Sequence, residues 1–346
     1  MKTRTGLGLV LVGLAGAAQA QTAPSAVAVP ASPAVVASPR AAEPDERQAV
    51  SAPLFEELEK KLAAAYTPAR KASFTPVTSA EHKRFGDAFR LLIDEAESRP
   101  PGSPTAPLRS AFDSLGFQVE AMTIAPGDTI LVLTEAPQRL RGSGLFLVRT
   151  GPVKPVVIMA PHPRNDRGTD LMGQRLFALT KARAYVQATM HRKALAPDGT
   201  VADPAHRYDT FFQVATEILE AHSAQLFVQL HGFESARHGD VDPRTAVIVS
   251  DGLGVPRPGT KFEEVAEKLS ARHKKGYVAI WGVDTLKLGG TTNAQARYIN
   301  PREKSTFMHV EMAAPVREDA LKDTGGRLPP RGSFFESLMY VVFSQG

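Results

Sequence analysis

The chain has 346 residues, no cysteine, and 41 lysines and arginines against 36 aspartates and glutamates. The lack of cysteine excludes disulfides, thiolate metal sites and cysteine nucleophiles. The positive charges are dispersed rather than gathered into a stripe with aromatic side chains, so the composition argues against a nucleic-acid partner.

The first twenty residues are typical of a secretory signal peptide. Two positive charges precede an apolar stretch from Leu7 to Ala18 that is too short for a transmembrane helix. The stretch ends in Ala-Gln-Ala, a small-x-small pattern, so we expect cleavage before Gln21. The sequence therefore predicts an exported protein, periplasmic or secreted, with no membrane span after signal removal.

The rest of the chain divides into a linker and one domain. Residues 21–50 are mostly Ala, Pro, Ser and Val, which bury too little apolar surface to offset the entropy of ordering, so a disordered linker is expected. Residues 51–346 are predicted to form a single catalytic domain with an N-terminal helical extension over 51–125.

Within this domain the hydrophobic pattern alternates between strands and helices. The predicted strands, several of them continuously apolar, are residues 117–121, 129–133, 145–149, 156–160, 184–189, 226–230, 246–250, 277–281 and 307–312. Helical periodicity covers much of 52–97 and then residues 170–181, 208–222, 262–273 and 334–343. This order predicts an α/β fold with a mixed, mainly parallel sheet and helices on both faces. Ligands in such sheets bind beyond the carboxyl ends of the strands.

Metal-binding side chains lie at those strand ends. His162 and His231 each directly follow a buried strand, and Glu311 lies near the end of the last strand. Two imidazoles and one carboxylate, with a fourth position open to water, are typical of catalytic zinc. Asp166, four residues after His162, is the preferred carboxylate ligand, and Asp170, one turn further, is the alternative. We therefore predict one Zn²⁺ ion, with Glu311 as the base that activates the water.

Other polar residues are candidates for binding the substrate. Arg192 follows another strand, where its guanidinium could hold a substrate carboxylate through two hydrogen bonds. His206, with Asp203, could form a polar wall, although an ordinary helix N-cap at Asp203 is an alternative interpretation. Arg297 and Arg302 belong to a donor-rich segment that is either a recognition loop or a plain connection.

The order of these residues resembles the zinc carboxypeptidase-like superfamily. This superfamily also includes N-formylglutamate amidohydrolases, aspartoacylase-type deacylases and poly-γ-glutamate hydrolases. The resemblance covers roughly residues 156–315 and implies the phosphorylase/hydrolase-like fold of zinc carboxypeptidases. It implies that His162, Asp166 and His231 are the zinc ligands, that Glu311 is the general base, and that Arg192 is similar to the arginine that binds the substrate carboxylate.

The chain departs from this family at two motifs. It has His162-x-x-x-Asp166 in place of the His-x-x-Glu pair of carboxypeptidases. It also has Asp-Pro-Ala-His at 203–206 where N-formylglutamate amidohydrolases have Asp-Leu-Asn-Arg.

The resemblance implies hydrolysis of an amide bond next to a carboxylate. The substrate would be a small peptide, an acyl amino acid or a cell-wall fragment. The alternatives are an esterase or phosphatase that uses the same metal site, and an exported ligand-binding protein of the same fold without turnover.

Overall fold

The computed structural model describes residues 52–69, 71–98, 102–163, 165–255, 257–322 and 331–345. The predicted signal peptide and linker lie outside these residues. Among the described helices, none is long and apolar enough to cross a membrane.

The described part of the chain forms one sheet with helices packed against it. Its strands are β1 (Phe117–Ala125), β2 (Asp128–Glu135), β3 (Leu145–Arg149), β4 (Lys154–Ala160), β5 (Ala182–Gln187), β6 (Leu226–Phe233), β7 (Val247–Ser250), β8 (Val278–Ile280) and β9 (Thr306–Ala313). Its helices are α1 (Ala52–Ala69), α2 (Ser79–Ser98), α3 (Ala106–Asp113), α4 (Thr169–Thr180), α5 (Phe211–His222), α6 (Lys261–Ser270), α7 (Ala294–Ile299), α8 (Ala314–Leu321) and α9 (Phe334–Phe343).

The strand order across the sheet is β1-β2-β3-β5-β4-β6-β9-β7-β8. The adjacent strands β5, β4, β6 and β9 are mutually parallel, and β7 pairs in parallel with the edge strand β8. The remaining neighbours are antiparallel, including the consecutive strands β2 and β3, which form a hairpin. The predicted mixed sheet is therefore confirmed, and its parallel part is concentrated at the centre, where the candidate site residues lie.

Each face of the sheet is covered by a separate set of apolar side chains, so helices on both faces are confirmed. One core joins the sheet to α1, α4, α6, α8 and α9 through residues such as Leu62, Leu176 and Leu338. The other joins it to α2, α3, α5 and α7 and contains a group of phenylalanines around Phe85. Burial on both faces explains why the central strands are continuously apolar in sequence.

The segment 52–125 packs against the sheet and contributes the edge strand β1 to it. Leu58 and Leu62 of α1 belong to one core, Phe85 and Phe89 of α2 belong to the other, and β1 pairs with β2 along its length. The apolar faces of these helices are therefore buried against the sheet, as their periodicity requires.

The register between β6 and β9 determines which polar side chains meet. Gln229 is paired with His309, and His231 is paired with Glu311. Residues two apart on a strand face the same side of the sheet, and paired residues on neighbouring strands do so as well. These four side chains therefore form one polar patch near the carboxyl ends of the central strands.

Candidate metal centre

Three potential metal ligands converge at the ends of β4 and β6. His162 follows β4, and the turn after it brings Asp166 back so that Asp166 Oδ2 lies 3.3 Å from His162 Nδ1. The same carboxylate oxygen lies 3.3 Å from Nδ1 of His231 on β6. Ligand atoms of these three residues lie within 4.8 Å of one another, and all three side chains are buried.

The outer nitrogen of each imidazole is occupied by a hydrogen-bond acceptor. His162 Nε2 lies 2.6 Å from Asp203 Oδ1, and His231 Nε2 lies 2.8 Å from Gln229 Oε1. An acceptor at Nε2 favours the tautomer with its proton there, which leaves the Nδ1 lone pair free. Both histidines therefore turn Nδ1 towards Asp166.

A second group lies beside the first and shares His231 with it. The rings of His231 and His309 are 4.2 Å apart, and His309 Nε2 lies 3.4 Å from Glu311 Oε1. Among the described residues, neither nitrogen of His309 has a hydrogen-bond partner, and neither does Glu311 Oε2. Buried polar atoms without partners are rare, so this pattern indicates a place for a ligand, an ion or water.

Burial and mutual contacts shift the pKa values of the ionisable groups in this cluster. Although burial opposes their ionisation, hydrogen bonds with the histidines hold the pKa values of Asp166 and Asp203 well below their usual range. Burial lowers the pKa of His231 to about 4, which keeps this imidazole neutral near pH 7. Burial and the nearby Asp166 carboxylate raise the pKa of Glu311 to about 8.

His162 is the residue of the cluster whose bound proton would compete with a cation. Burial disfavours its charged form, but the hydrogen bonds that its ring donates to the Asp166 and Asp203 carboxylates raise the pKa of His162 overall. The proton that this shift favours would sit on Nδ1, because Nε2 already donates to Asp203. A divalent cation at Nδ1 would replace this proton and compensate the Asp166 carboxylate in its place, while Nε2 would continue to donate to Asp203.

The donor set fits a divalent cation. Two imidazole nitrogens and one carboxylate oxygen are the protein ligands of many catalytic zinc sites. Their outer hydrogen bonds hold both rings in the orientation that such a site requires. The unpartnered Glu311 Oε2 lies in the adjacent group that contains His231, so a carboxylate stands beside the ligands without being needed as one.

Arg192 lies at the opening of this cluster. Its Nη2 is 2.7 Å from Asp203 Oδ2, and its Nη1 is 3.2 Å from His162 Nδ1. About a third of the side chain is exposed (32%), in contrast to the buried ligands. The guanidinium therefore connects the cluster to solvent, as expected for a residue that meets an incoming anion.

The two predicted candidates His206 and Arg297 both contact residues 291–292. His206 Nδ1 is 3.2 Å from the Thr292 carbonyl oxygen, and Arg297 donates to the Thr291 carbonyl oxygen at 3.1 Å. Both side chains are exposed. The segment that contains Thr291 also brings the backbone of Gly290 against the ring of His309, where a Cβ atom at residue 290 would lie 2.8 Å from Nδ1.

Three further candidate residues lie at other places in the structure or have other contacts. Arg302 stacks on Tyr298 and precedes β9, so it lies at the amino end of the strand whose carboxyl half carries Glu311. Asp170 is absent from the described groups of converging ligands; it lies in the first turn of α4, where burial raises its pKa. Thr210 caps α5, so Asp203 is not the N-cap and instead orients His162.

Several residues near the site were not predicted from the sequence to have a role in it. Gln229, Asn293 and Gln295 are buried amides that form hydrogen bonds behind His231. Arg317 of α8 is buried over Gly232, where it donates to the carbonyl oxygens of Arg167 and Met312. The sole available signal was a glutamine inside a continuously apolar strand, which is costly unless its amide is fully hydrogen-bonded.

Some solved structures are similar to this chain over part of its length. An N-formylglutamate amidohydrolase from Ralstonia eutropha is 15% identical, with 58% of this chain and 96% of that chain covered and a TM-score of 0.37. A putative carboxypeptidase A from Shewanella denitrificans is 15% identical, with 79% and 71% covered and a TM-score of 0.35. A bacteriophage poly-γ-glutamate hydrolase is 17% identical, with 56% and 84% covered and a TM-score of 0.35.

These proteins are of the hydrolase classes that the sequence resembles. No family model and no curated protein matches the chain. The function of the chain therefore has to be inferred from the residues of the site.

Proposed function

We propose that this chain is a zinc-dependent hydrolase that cleaves an amide bond next to a carboxylate in a small peptide or an N-acyl amino acid. The observation that carries the proposal is the convergence of His162 Nδ1, His231 Nδ1 and Asp166 Oδ2 beside the unpartnered carboxylate oxygen of Glu311. Ligands and a separate base, placed together at the ends of neighbouring strands, are the minimum that such hydrolysis requires.

The bound ion would supply two effects, polarisation of the scissile carbonyl and a lower pKa for the attacking water. His162, Asp166 and His231 would hold it. A site of two imidazoles and one carboxylate suits zinc better than magnesium or calcium, which prefer oxygen ligands.

Glu311 would transfer the proton. Its Oε2 has no partner among the described residues, so the ionised carboxylate could accept a proton from water and deliver it to the leaving amine. A cation held beside it would favour this ionised form over the neutral carboxyl that its raised pKa of about 8 otherwise favours near pH 7. The same register that pairs Glu311 with His231 keeps this carboxylate beside the ligands without placing it in the ligand set.

Arg192 would bind the carboxylate of the substrate. The Asp203 carboxylate anchors its guanidinium at 2.7 Å, and the exposed part of the side chain faces the opening of the cluster. Guanidinium N–H groups that are not used by Asp203 and His162 can donate to a substrate carboxylate. His206 and Arg297, both exposed and both in contact with residues 291–292, would extend the polar surface that surrounds the substrate.

Export would restrict the substrates to those outside the cytoplasm. The signal peptide predicted for residues 1–20 directs the chain to the periplasm or the medium. Cell-wall fragments and scavenged peptides are the amide-containing molecules with free carboxylates that we expect it to meet there.

Metal analysis of the purified protein tests this proposal. We expect close to one equivalent of zinc in the wild type and a large loss in His162→Ala and His231→Ala, because each variant removes one of three ligands. A wild type that binds no metal after incubation with zinc, or variants that bind it equally well, would contradict the proposal.

A substrate panel with a matched variant tests the reaction. N-acyl amino acids and short peptides should be hydrolysed in preference to simple esters and phosphate esters, and chelation should stop the reaction. Glu311→Gln should keep its zinc but lose roughly 10²–10⁴-fold in kcat, because the amide cannot accept the proton. Hydrolysis of esters or phosphates alone would replace the amidohydrolase with the alternative enzyme, and binding without turnover would replace it with a ligand-binding protein.

A further inference from the structure

A row of buried side-chain amides lies behind His231. Gln229 Oε1 accepts from His231 Nε2 at 2.8 Å and also from the Asn293 side-chain amide. Gln229 Nε2 donates to Gln295 Oε1 at 3.0 Å, and Gln295 Nε2 donates to Gln213 Oε1 at 2.9 Å. These four amide side chains are at most 2% exposed, so solvent does not compete for their hydrogen bonds.

The direction of this row is determined by the backbone at one end. Gln295 Nε2 lies 3.0 Å from the carbonyl oxygen of Pro204, which can only accept a hydrogen bond. The amide nitrogen of Gln295 must therefore face Pro204, and its oxygen must face Gln229. Gln229 then has to donate through Nε2, so its own oxygen is the atom that meets His231.

A second backbone group fixes the same direction independently. The backbone N–H of Ala296 at the start of α7 donates to Asn293 Oδ1 at 3.0 Å, and a backbone N–H can only donate. The side-chain nitrogen of Asn293 is therefore the atom that faces Gln229, and it requires an acceptor there. Both ends of the network identify Gln229 Oε1 as an obligate acceptor.

We infer that Gln229 is a positioning residue that holds His231 as the Nε2–H tautomer. His231 Nε2 lies 2.8 Å from this obligate acceptor, whereas Nδ1 lies 3.3 Å from the Asp166 carboxylate, beyond the usual N–H···O range. The shorter contact favours the proton on Nε2 and leaves the lone pair on Nδ1. The Asp203 carboxylate has the same effect on His162. Gln229 thus orients the free lone pair of His231 towards the place where a cation would bind. This inference rests on the proposed metal site and assigns a further residue to it.

The fixed tautomer also decides between the two ligand groups that share His231. His231 has one free nitrogen, Nδ1, and that nitrogen lies 3.3 Å from Asp166. The group of His231, His309 and Glu311 therefore cannot hold a second ion at the same time without removing the Nε2 proton. His231 is committed to the group with His162 and Asp166, and the centre takes one ion.

Two substitutions of the same residue separate this role from a structural one. Gln229→Met and Gln229→Glu both remove the amide donor to Gln295, but Gln229→Glu keeps an oxygen acceptor for His231. Nitrogen-15 shifts of the His231 ring in the metal-free protein should show the Nε2–H tautomer in the wild type and in Gln229→Glu. Gln229→Met should show a mixture of tautomers.

Zinc affinity provides the second readout. We expect Gln229→Met to bind zinc roughly 10–100-fold more weakly in a competition titration, the usual effect of losing a partner of a ligating histidine. Gln229→Glu should recover most of this loss. The inference is overturned if Gln229→Met keeps both the tautomer and the affinity, or if Gln229→Glu is as weak as Gln229→Met while folded.

The outcome is separable from that of the proposed function. The nitrogen-15 measurement needs neither metal nor substrate, so it can succeed for a protein that hydrolyses nothing. A protein that binds one zinc but shows no tautomer preference would retain the proposed function and lose this inference. A wild type with two equivalents of tightly bound zinc would contradict the commitment of His231 to one group.

Discussion

His162 lies between two aspartate carboxylates that contact different nitrogens of its ring. Asp166 faces the nitrogen that would bind the ion, and Asp203 faces the other nitrogen at 2.6 Å. Asp203 also pairs with Arg192 and accepts the backbone N–H of Ala205 at 3.0 Å. Asp203 therefore fixes the imidazole of a candidate ligand and the guanidinium of a candidate substrate-binding residue together.

We expect Asp203→Asn to weaken zinc binding roughly 10–100-fold, because a neutral amide orients and polarises the His162 imidazole less strongly than a carboxylate does. The same change should raise KM for a carboxylate-bearing substrate, since Arg192 loses its ionic partner. Competition titration with a zinc chelator and steady-state kinetics measure the two effects.

Asp209→Asn is the matched control for this change. Asp209 lies six residues after Asp203 in the chain and pairs with Arg207 at 2.6 Å. Its side chain is 40% exposed, and its ion pair is with Arg207 rather than with a candidate ligand. Its loss should leave zinc affinity and KM close to those of the wild type. Equal effects of the two substitutions would show that Asp203 acts through the general stability of the loop.

At the level of single residues, the sequence contains only part of the site. His162 and His231 can be predicted from the sequence because a histidine after a buried strand has to be paired, coordinated or exposed in a cleft. Gln229 is not visible, because its partners Asn293 and Gln295 come from a segment more than sixty residues later in the chain. Arg302 precedes the predicted strand 307–312, and the structure places it before the amino end of β9, stacked on Tyr298.

Among the helices, α2 begins with a reciprocal cap that a long-range ion pair reinforces. The Glu81 backbone N–H donates to Thr78 Oγ1, and the Thr78 backbone N–H donates to Glu81 Oε2 at 2.9 Å. Arg141, between β2 and β3, pairs with Glu81 and donates to the Thr75 and Pro76 carbonyl oxygens at 3.1 and 3.0 Å. Glu81 thus joins the start of a helix to the hairpin beside it.

This contact predicts a pH dependence of stability. Burial opposes the charge, but hydrogen bonds from Arg141 and Thr78 lower the pKa of Glu81 to about 2. A carboxylate with a depressed pKa stabilises the fold above its unfolded pKa of 4.5, and this contribution is lost as pH falls from there towards about 2. Glu81→Gln should lower the free energy of unfolding by about 1–2 kcal/mol at pH 7, allowing for solvent screening at this surface position.

Denaturant unfolding at pH 7 and at pH 3 measures this effect. The difference between wild type and Glu81→Gln should shrink at the lower pH, because much of the advantage of the ionised carboxylate has then disappeared. Asp87→Asn is the control on the same helix, since Asp87 pairs with Lys83 and Arg90 at an exposed position and should matter less. A difference for Glu81→Gln that is independent of pH would contradict an electrostatic origin.

The elements were predicted best where burial determines the pattern. The predicted strands of the parallel centre agree with β4, β6 and β9 to within a few residues, because burial on both faces leaves a continuously apolar sequence. The α7 helix was interpreted as a loop, since its six residues are too few to show periodicity. Its N-cap at Asn293 was hidden for the same reason, although this cap also positions the amide that meets Gln229.

Across the whole molecule, the candidate ligands bring together parts of the chain that are distant in sequence. His162 follows β4 and His231 ends β6, while Asp203 and Asn293 reach the same place from two separate connections. Strand pairing in the sheet and the two apolar cores on its faces hold these segments in register.

Metal removal should therefore lower stability without unfolding the protein. A ligand that binds only the folded state at a thousand times its dissociation constant contributes about 4 kcal/mol, so chelation should reduce Tm by roughly 5–10 °C. The apo protein should still unfold cooperatively, because both apolar cores are independent of the ion. Differential scanning calorimetry with and without chelator measures the shift.

The His162→Ala variant distinguishes binding at this centre from binding elsewhere. Its Tm should respond much less to the chelator, since the imidazole that links Asp166 to Asp203 is missing. His222→Ala is a suitable comparison, because His222 pairs with Glu97 at the end of α5, away from the candidate ligands, and should keep the full response. A chelator shift that persists in His162→Ala would place the stabilising ion outside the His162–Asp166–His231 group and would separate the stability of this fold from its proposed chemistry.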